Sequence, residues 1–438
     1  MPPKKAQGKK KEEDLDALLA DLKLKDAKKA ASKKPEATPK KKANSSEFPE
    51  TWATKAEIDA LIAQKAAQKE WPTEQTKPEP IVPVDVLYKG KKFPVGEVSD
   101  HPGDFNTFRT SSAEKKQKDR NFEKELEEAR RTAEVHRTAR QWLQSWVKPG
   151  YKMQYIAETT ENKVRELILA DGLNGGIGFP MGCSLNECAA HYSPNPGDTR
   201  VLKTDDVVKF DIGIHTNGRI IDSAWTMCWN DRYLPLLNTV KEATNVGLKT
   251  AGIDVRLCDI GEAIQEVMEA GEIELNGKTH KIRCVRNLCG HNIERYRIHG
   301  GKSVPIVKSD DQTKMEENEF FAIETFGTTG KGYVEESGDC SHYAKIHNAP
   351  AVNFPVAKDR HLLNFITEKF GTLPFCRRYL DRLGENKHIV SLKHLVDADV
   401  VQAYPPLVDV MGSYTAQFEH TFVLRPTCKE ILSRGEDY

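Results

Sequence analysis

The chain has 438 residues, with 65 basic and 65 acidic side chains and a formal net charge of zero. This length allows one large catalytic domain plus an extension. Nine cysteines, an odd number without a C-x-x-C pair, indicate reduced thiols rather than a disulfide framework or a Cys-rich zinc motif. The MPPKK start has no apolar segment typical of a secretory signal, and no apolar run approaches the about 18 residues of a membrane span. We therefore expect a cytoplasmic protein that does not engage a membrane.

The balanced total charge hides a basic extension. Residues 1–43 contain 14 Lys, no Arg and 7 acidic residues, so they carry +7 and residues 44–438 carry −7. The extension has almost no aromatic or β-branched residues, and we expect it to be disordered apart from a short amphipathic helix at 14–25. Its charge favours docking to the ribosome or to RNA, with a purely solubilising tail as the alternative.

Residues 44–105 are predicted to be a partly ordered linker, in which Trp52 and Trp71 hold the chain against the domain that follows at 106–438. That domain opens with amphipathic helices at 121–146 and 161–170, the first ending at a Lys-Pro-Gly stop signal. Further helices are predicted at 234–250 and 259–270. Helices and strands do not alternate in a simple βαβ rhythm, so a Rossmann sheet is not predicted.

The most informative segment is VVKFDIGIHTNGRIIDSAWTM at 207–227. Its Asn-Gly pair at 217–218 between strand-like runs predicts a two-residue hairpin, which pairs Asp211 with Ala224. Asp222 shares a face with Ala224, so the two aspartates become diagonal neighbours roughly 7 Å apart at the backbone. Two carboxylates so placed favour a divalent cation between them, and the alternative is a pair of solvated surface aspartates.

Three later segments carry suitable additional ligands. His291 follows a glycine on a predicted loop, Glu324 lies in the apolar run NEFFAIETFGT, and Glu419 lies on the polar face of the alternating strand SYTAQFEHTFVL. One imidazole and four carboxylates suit two divalent ions, with Mn, Co, Fe or Zn favoured by a mixed N/O set without thiolate. Taken singly, Glu324 could be a buried ion-pair partner, Glu419 a surface residue and His291 a core histidine.

The order and context of these residues resemble the type 2 methionine aminopeptidases over about 105–438. The matching segments include FPMGCSLNECAAHY (179–192), KFDIGIHTNGRIIDSAWT (209–226), RNLCGHNIERYRIHGGKSVPIVK (286–308), FAIETFGTTGKG (321–332) and YPPLVDVMGSYTAQFEHTFVLRPTCKE (404–430). The resemblance implies an α+β pita-bread fold: a curved antiparallel sheet backed by helices, in two pseudo-symmetric halves. It also implies that 341–403 is a small inserted helical, winged-helix-like subdomain.

The resemblance further implies which residues form the site. A centre of two divalent metal ions would be bound by Asp211, Asp222, His291, Glu324 and Glu419. Glu324 would also accept the proton of the metal-activated water that attacks the first peptide bond. Among the substrate-side residues, His191 would assist the leaving amine, His299 would hydrogen-bond the substrate backbone, and a methionine pocket would be lined by Phe179, Ile298, His342 and Tyr404.

The activity implied by the resemblance is removal of the initiator methionine from nascent polypeptides when the second residue is small and uncharged. A monomer is the simplest expectation for the oligomeric state. Cys289 and Met181 stand where the family usually has Asn and Thr, respectively, and could retune metal affinity. Two other functions remain open. One is a different pita-bread enzyme such as a prolidase or aminopeptidase P. The other is a non-catalytic member that has lost its metals and binds ribosomes or RNA.

Overall fold

The computed structural model describes residues 48–438, so the extension at 1–43 and its predicted helix at 14–25 lie outside the described residues. The α-helices within 48–438 are α1 Lys55–Ala67, α2 Val84–Leu87, α3 Ala113–Asn121, α4 Glu123–Trp146, α5 Met153–Ile168, α6 Leu234–Thr250, α7 Leu257–Ala270, α8 Ala357–Lys369, α9 Arg377–Arg382 and α10 Ile389–Asp397. The four helices predicted after residue 106 correspond to α4 to α7.

The strands of the same region are β1 Glu97–Ser99, β2 Gly175–Leu185, β3 Cys188–Ala190, β4 Val207–Thr216, β5 Arg219–Cys228, β6 Glu272–Leu275, β7 Lys278–Lys281, β8 Arg283–Cys284, β9 Cys289–Ile293, β10 Ser303–Pro305, β11 Phe320–Thr328, β12 Glu335–Glu336, β13 His342–Lys345, β14 Phe375–Cys376, β15 Val401–Tyr404, β16 Leu407–Val408, β17 Thr415–Leu424 and β18 Lys429–Ile431. Every strand pair formed by these strands is antiparallel.

The first half of the molecule is the sheet β2-β4-β5, which is backed by helices α4 and α5. Its centre is the predicted hairpin, with Asn217 at φ 48° and Gly218 at φ 77° in the two-residue loop. Positive φ at both loop positions matches the twist of the flanking strands. The observed register pairs Asp211 with Ala224, which confirms the prediction from the turn.

The second half is a larger sheet in which β9, β11 and β17 lie side by side, backed by α6 and α7. Glu324 of β11 pairs directly with Glu419 of β17, while Ala322 pairs with His291 of β9. Alternation along β11 places residues 322 and 324 on one face, so all three polar side chains share that face. The predicted loop position of His291 is wrong, because this histidine lies inside strand β9.

The two halves meet where β5 runs along β17. Among the described strands, these two are not joined by a backbone ladder. Threonine hydroxyls replace it: Thr421 Oγ1 accepts from Asp222 N at 2.8 Å and donates to Asp222 O at 2.6 Å. Thr226 Oγ1 likewise accepts from Gln417 N at 2.8 Å and donates to Gln417 O at 2.7 Å. We call this line of contacts the seam.

The seam changes the environment predicted for Glu419. The polar face of β17 holds Gln417, Glu419 and Thr421, all of which are buried. Both faces of β17 are therefore inside the protein, because the first half docks beside the second. Glu419 is accordingly not a strand residue facing solvent.

Residues 341–403, predicted as a helical insert, contain helices α8 to α10 and also the three-stranded sheet β14-β13-β15. They have their own apolar core around Ile366, Phe375 and Leu395. Buried Arg378 ties this segment to the first half through two hydrogen bonds of 2.8 and 2.9 Å to the carboxylate of Glu161 on α5.

The segment expected to be a linker packs onto the same body, since residues 48–438 form a single compact unit. Lys65 of α1 reaches the Glu166 carboxylate of α5 at 2.6 Å, and both side chains are buried. The ring of Trp71 lies 5.3 Å from the Lys65 ammonium, and Trp52 is half-buried. Order before residue 106 therefore extends over two helices and a strand.

Candidate metal centre

Three candidate ligands from three strands converge at the seam. Single ligand atoms of Asp222, His291 and Glu419 all lie within 4.8 Å of one another, and all three side chains are buried. The seam explains the convergence. Thr421, two residues after Glu419 on β17, hydrogen-bonds the backbone of Asp222 on the neighbouring strand β5.

Asp211 and Glu324 complete the group from the flanking strands. Both line a partly open pocket together with Asp222 and His291. His291 Nε2 lies 3.5 Å from Asp222 Oδ2 and 3.8 Å from Glu324 Oε1. The structure thus brings together all five residues that the sequence predicted as ligands.

The four buried carboxylates of the candidate ligands repel one another strongly when ionised. Burial raises the pKa of the Asp211, Glu324 and Glu419 carboxyls well above the usual range, and repulsion from Asp222 adds to each shift. Burial likewise raises the pKa of Asp222. Four carboxylates cannot all be ionised here without a compensating positive charge.

Several carboxylate oxygens at this position have no hydrogen-bond partner among the described residues. They are Asp211 Oδ1, Asp222 Oδ1 and both side-chain oxygens of Glu419, all buried. A buried charged oxygen without a partner is costly, whereas a divalent cation would satisfy it. With one imidazole and four carboxylates, the chemistry of the set fits two such cations.

His291 is prepared to offer Nε2 as a lone-pair donor. Its Nδ1 lies 3.3 Å from the carbonyl oxygen of Asn292, so a proton on Nδ1 is held by the backbone. Burial lowers the pKa of His291 to about 4, which keeps the ring neutral at physiological pH. A neutral imidazole with its second nitrogen hydrogen-bonded is the usual form of a metal-binding histidine.

The wall of the cavity is formed by the predicted substrate-side residues. Phe179, His191, Ile298, His299, His342 and Tyr404 all line it. His342 is fixed by contacts of Nε2 with Pro180 O at 3.1 Å and of Nδ1 with Ser341 Oγ at 2.9 Å. Aromatic and aliphatic side chains thus line the same pocket as Asp211, Asp222, His291 and Glu324.

His191 has an unusual backbone. Its φ is 64°, in the left-handed region that a non-glycine residue adopts at an energetic cost. The ring lies 5.7 Å from that of Tyr404 and 6.0 Å from that of His342, measured between centroids. Burial lowers the pKa of His191 to about 4, so the ring is neutral near pH 7.

The sequence did not identify Gln417 as a residue of the pocket. Gln417 lines the cavity, and its Nε2 donates to Glu324 Oε2 at 3.1 Å. The signal was present, because Gln417 lies two residues before Glu419 and therefore on the same face of the strand.

The two departures from the family pattern differ in position. Cys289 lies two residues before His291 on β9, and Glu324 adds to the burial effect that raises the pKa of the thiol. Met181 is buried in the main apolar core, and its backbone N–H donates to Glu161 Oε1 at 3.1 Å. Met181 directly precedes Gly182, which pairs with Asp211, so both departures adjoin strand positions next to candidate ligands.

The profile of metallopeptidase family M24 matches residues 127–426. Methionine aminopeptidase 2 of Schizosaccharomyces pombe is 58% identical over 367 residues, covering 84% of this chain and 86% of that protein. Methionine aminopeptidase 2 of Komagataella phaffii is 54% identical over 392 residues, covering 86% and 87%.

Among solved structures, that of a thermophilic Arx1 matches with a TM-score of 0.60 at 16% identity, covering 75% of this chain and 92% of that one. This similarity concerns the fold alone. The family match and the antiparallel sheets together confirm the predicted α+β pita-bread fold. By profile and by identity over most of its length, the chain belongs to metallopeptidase family M24, in the methionine aminopeptidase 2 branch.

Proposed function

We propose that this protein removes the N-terminal methionine from nascent polypeptides when the second residue is small and uncharged. One observation carries the proposal. Asp211, Asp222, His291 and Glu324 line one pocket, Glu419 lies beside Asp222 and His291, and four buried carboxylate oxygens of this group have no hydrogen-bond partner within residues 48–438. The apolar wall of the same cavity offers a place for the methionine side chain.

Members of this family use two divalent metal ions. Here the ions would be Co, Mn, Fe or Zn, and they would be held by Asp211, Asp222, His291, Glu324 and Glu419. Two dications balance the four negative charges of the carboxylates. When bound, they lower the pKa of a water molecule and stabilise negative charge on the substrate carbonyl oxygen.

Glu324 is suited to move a proton during the reaction. Its Oε2 is held by Gln417, which leaves Oε1, on the His291 side, to accept the proton of the attacking water. The same carboxyl group can then pass the proton towards the leaving amine.

His191 is proposed to contact the scissile amide and to assist the leaving amine. Its left-handed backbone and its aromatic neighbours hold the ring in place. A neutral imidazole retains one N–H, which it can donate to the substrate at pH 7. His299 lies 4.4 Å from His291 between ring centroids, and we assign to it a hydrogen bond with the substrate backbone.

The methionine side chain would lie against Phe179, Ile298, His342 and Tyr404. A flexible, polarizable thioether packs well against aromatic surface. We attribute the preference for a small second residue to crowding beside the metal ions, where a larger side chain would clash. His342 is buried and its pKa is lowered to about 3, so the slot is lined by a neutral ring.

The proposed setting is cytoplasmic, with the enzyme acting as a monomer. Within 48–438, no helix has the length and apolar character needed to cross a membrane.

Residues 1–43, with a net charge of +7, are proposed to dock on the ribosome or on RNA. Deleting them should leave peptide cleavage unchanged and weaken salt-sensitive ribosome binding in a sedimentation assay. Unchanged ribosome binding would indicate that residues 1–43 only increase solubility.

The decisive experiment is methionine release from Met-Ala-Ser and from Met-Lys-Ser, before and after chelation and after addition of Mn²⁺ or Co²⁺. Release from Met-Ala-Ser alone, lost on chelation and restored by metal, supports the proposal. Cleavage of Xaa-Pro peptides without Met-Ala cleavage would assign a prolidase-like activity instead. No release with any metal would favour the non-catalytic alternative, although all five ligand positions are retained.

A further inference from the structure

A buried polar cluster lies on the opposite side of the ligand-bearing strands from the candidate metal site. It consists of His136 and Arg140 from α4, Ser223 from β5 and Tyr438, and we call it the rear network. Each of these four residues is buried. None of them lines the cavity, and none has a role in the proposed reaction.

Ser223 is where the rear network meets the seam. Its Oγ donates to Glu419 O at 2.7 Å and lies 2.7 Å from the Tyr438 hydroxyl. Because Ser223 has a single hydroxyl proton, donation to Glu419 O leaves the tyrosine hydroxyl as the donor to Ser223 Oγ. The chain of bonds therefore runs from Tyr438 through Ser223 to the backbone of a proposed ligand.

Tyr438 is held from several sides. Its ring stacks on His420 at 4.7 Å and contacts Phe418 at 5.9 Å, the residues that flank Glu419. The Arg140 guanidinium lies 4.3 Å from the ring centroid, and its Nη1 donates to the tyrosine hydroxyl at 3.3 Å. Arg140 is in turn anchored by two 2.8 Å hydrogen bonds to Asp437.

His136 supports the hairpin in a similar way. Its Nε2 lies 3.1 Å from Ile212 O and 3.2 Å from Ser223 O, the carbonyls of the residues that follow Asp211 and Asp222. Arg140 Nη1 faces its Nδ1 at 3.4 Å, so the proton belongs on Nε2. The rear network thus touches the backbone beside three proposed ligands.

We propose that Tyr438 is a positioning residue that sets the spacing between Asp222 and Glu419, and with it the affinity for divalent metal. The inference rests on the proposed metal centre. It follows from the seam, where hydroxyl groups replace a backbone ladder and Ser223 is oriented by the Tyr438 hydroxyl. Without that hydroxyl, Ser223 can turn away from Glu419 O and the two ligand-bearing strands are less tightly joined.

The first test removes only the tyrosine hydroxyl. Tyr438→Phe keeps the ring and its stacking on His420, so a packing role predicts unchanged metal binding. A positioning role predicts that the dissociation constant for Co²⁺ rises about tenfold, the lower end of the effect of residues that orient metal ligands. Co²⁺ titration of the full chain by calorimetry and by visible absorption measures this directly, without reference to turnover.

The matched control is Tyr233→Phe. Tyr233 is fully buried, its hydroxyl bonds Arg232, and its ring lies 4.5 Å from that of Tyr414. It loses the same hydroxyl group at a position outside the rear network and the cavity. Its affinity for Co²⁺ should equal that of the unsubstituted protein, even where its Tm falls by as much as that of Tyr438→Phe.

A double-mutant cycle with Ser223→Ala sharpens the test. If Tyr438 acts through Ser223, the double variant should bind Co²⁺ no more weakly than Ser223→Ala alone. Additive losses, or normal binding by Tyr438→Phe, would overturn the inference while leaving the metal centre intact. Failure of the unsubstituted protein to bind Co²⁺ would overturn the proposed metal centre itself, and the inference with it.

Discussion

The two halves of the molecule supply their proposed ligands in different ways. Asp211 and Asp222 belong to one hairpin, whose register follows from a two-residue turn. His291, Glu324 and Glu419 come from three strands joined by long connections, and only the sheet brings them together. A local signal therefore fixes one part of the site, whereas the other part depends on long-range pairing, and catalysis would require both.

The largest expected effect tests whether the halves contribute equally to the metal centre. Asp222→Ala and Glu419→Ala should each abolish tight metal binding and reduce kcat/KM for Met-Ala-Ser by roughly 10³-fold or more. Metal content and turnover are measured on the same samples, with folding checked by circular dichroism. The exposed carboxylate of Glu274 on β6 provides the control, Glu274→Ala, which should be unaffected. Full turnover with metal bound in either variant would remove that residue from the site.

A second prediction separates the donor strands from the wall of the cavity. His191→Asn should lower kcat by about 10²-fold, because a proton donor to the substrate is lost, while both metals stay bound. Turnover of Met-Ala-Ser together with metal titration checks this. His280→Asn on β7 serves as a histidine control remote from the cavity. Loss of metal in His191→Asn would indicate that His191 is a metal ligand. Normal turnover would show that His191 has no role in the reaction.

The third prediction asks how far the first half relies on its turn. At Gly218, φ is 77° and an added Cβ would meet the Tyr296 ring at 2.3 Å, whereas Gly412 has φ 82° and open space around it. Gly218→Ala should therefore lower the free energy of unfolding by about 3 kcal/mol and Gly412→Ala by about 1 kcal/mol. Urea denaturation measures both. Equal losses would show that backbone strain, rather than the contact with Tyr296, governs the turn.

The smallest expected effect concerns the charge shared by the two halves. The carboxyl pKa values are raised in the folded protein, so the folded state without metal binds more protons than the unfolded state. Its stability should therefore fall as pH rises from about 4, the unfolded pKa, to about 7, the raised pKa of Asp222. Above about pH 7, the stability gained from protonated Asp222 is absent. Bound metal should make the stability of the folded protein depend less on pH.

Asp211→Asn should relieve part of this conflict, raising the Tm of the chelated protein at pH 7.5 by about 2–4 °C. Asp310→Asn, which removes an exposed carboxylate, is the control. Thermal unfolding in the presence of chelator is the measurement. An unchanged or lower Tm in Asp211→Asn would mean that the buried carboxylates do not repel one another in the folded state.

The sequence predicted the hairpin and its register because turn chemistry acts over a few residues. It failed for His291, where Gly290 suggested a loop. In the sheet, a Cβ at Gly290 would lie 2.5 Å from Ala322 O, so the glycine permits close strand approach within a strand. The burial of Glu419 was also missed, because strand alternation identifies a polar face but not the second sheet that covers it.

The segment before residue 106 illustrates a related limit. Its Pro-rich stretch and two tryptophans indicated a partly ordered linker, and the sequence did not indicate the buried ion pair of Lys65 with Glu166. Local composition around Lys65 cannot indicate a partner as distant in the sequence as Glu166. The resemblance to a family identified the candidate ligands and cavity wall, but it said nothing of the rear network, which depends on contacts between distant segments.

The seam also has a consequence for the time at which the enzyme becomes active during its own synthesis. Asp222 is held by Thr421, and Ser223 is bonded to Glu419 O and to Tyr438. A growing chain that has released only the first half from the ribosome holds two of the five donors. The complete set assembles only after β17 and Tyr438 have emerged. A chain that holds the first half alone would therefore lack three of the five proposed metal ligands, and metal binding by the full set would have to wait for β17.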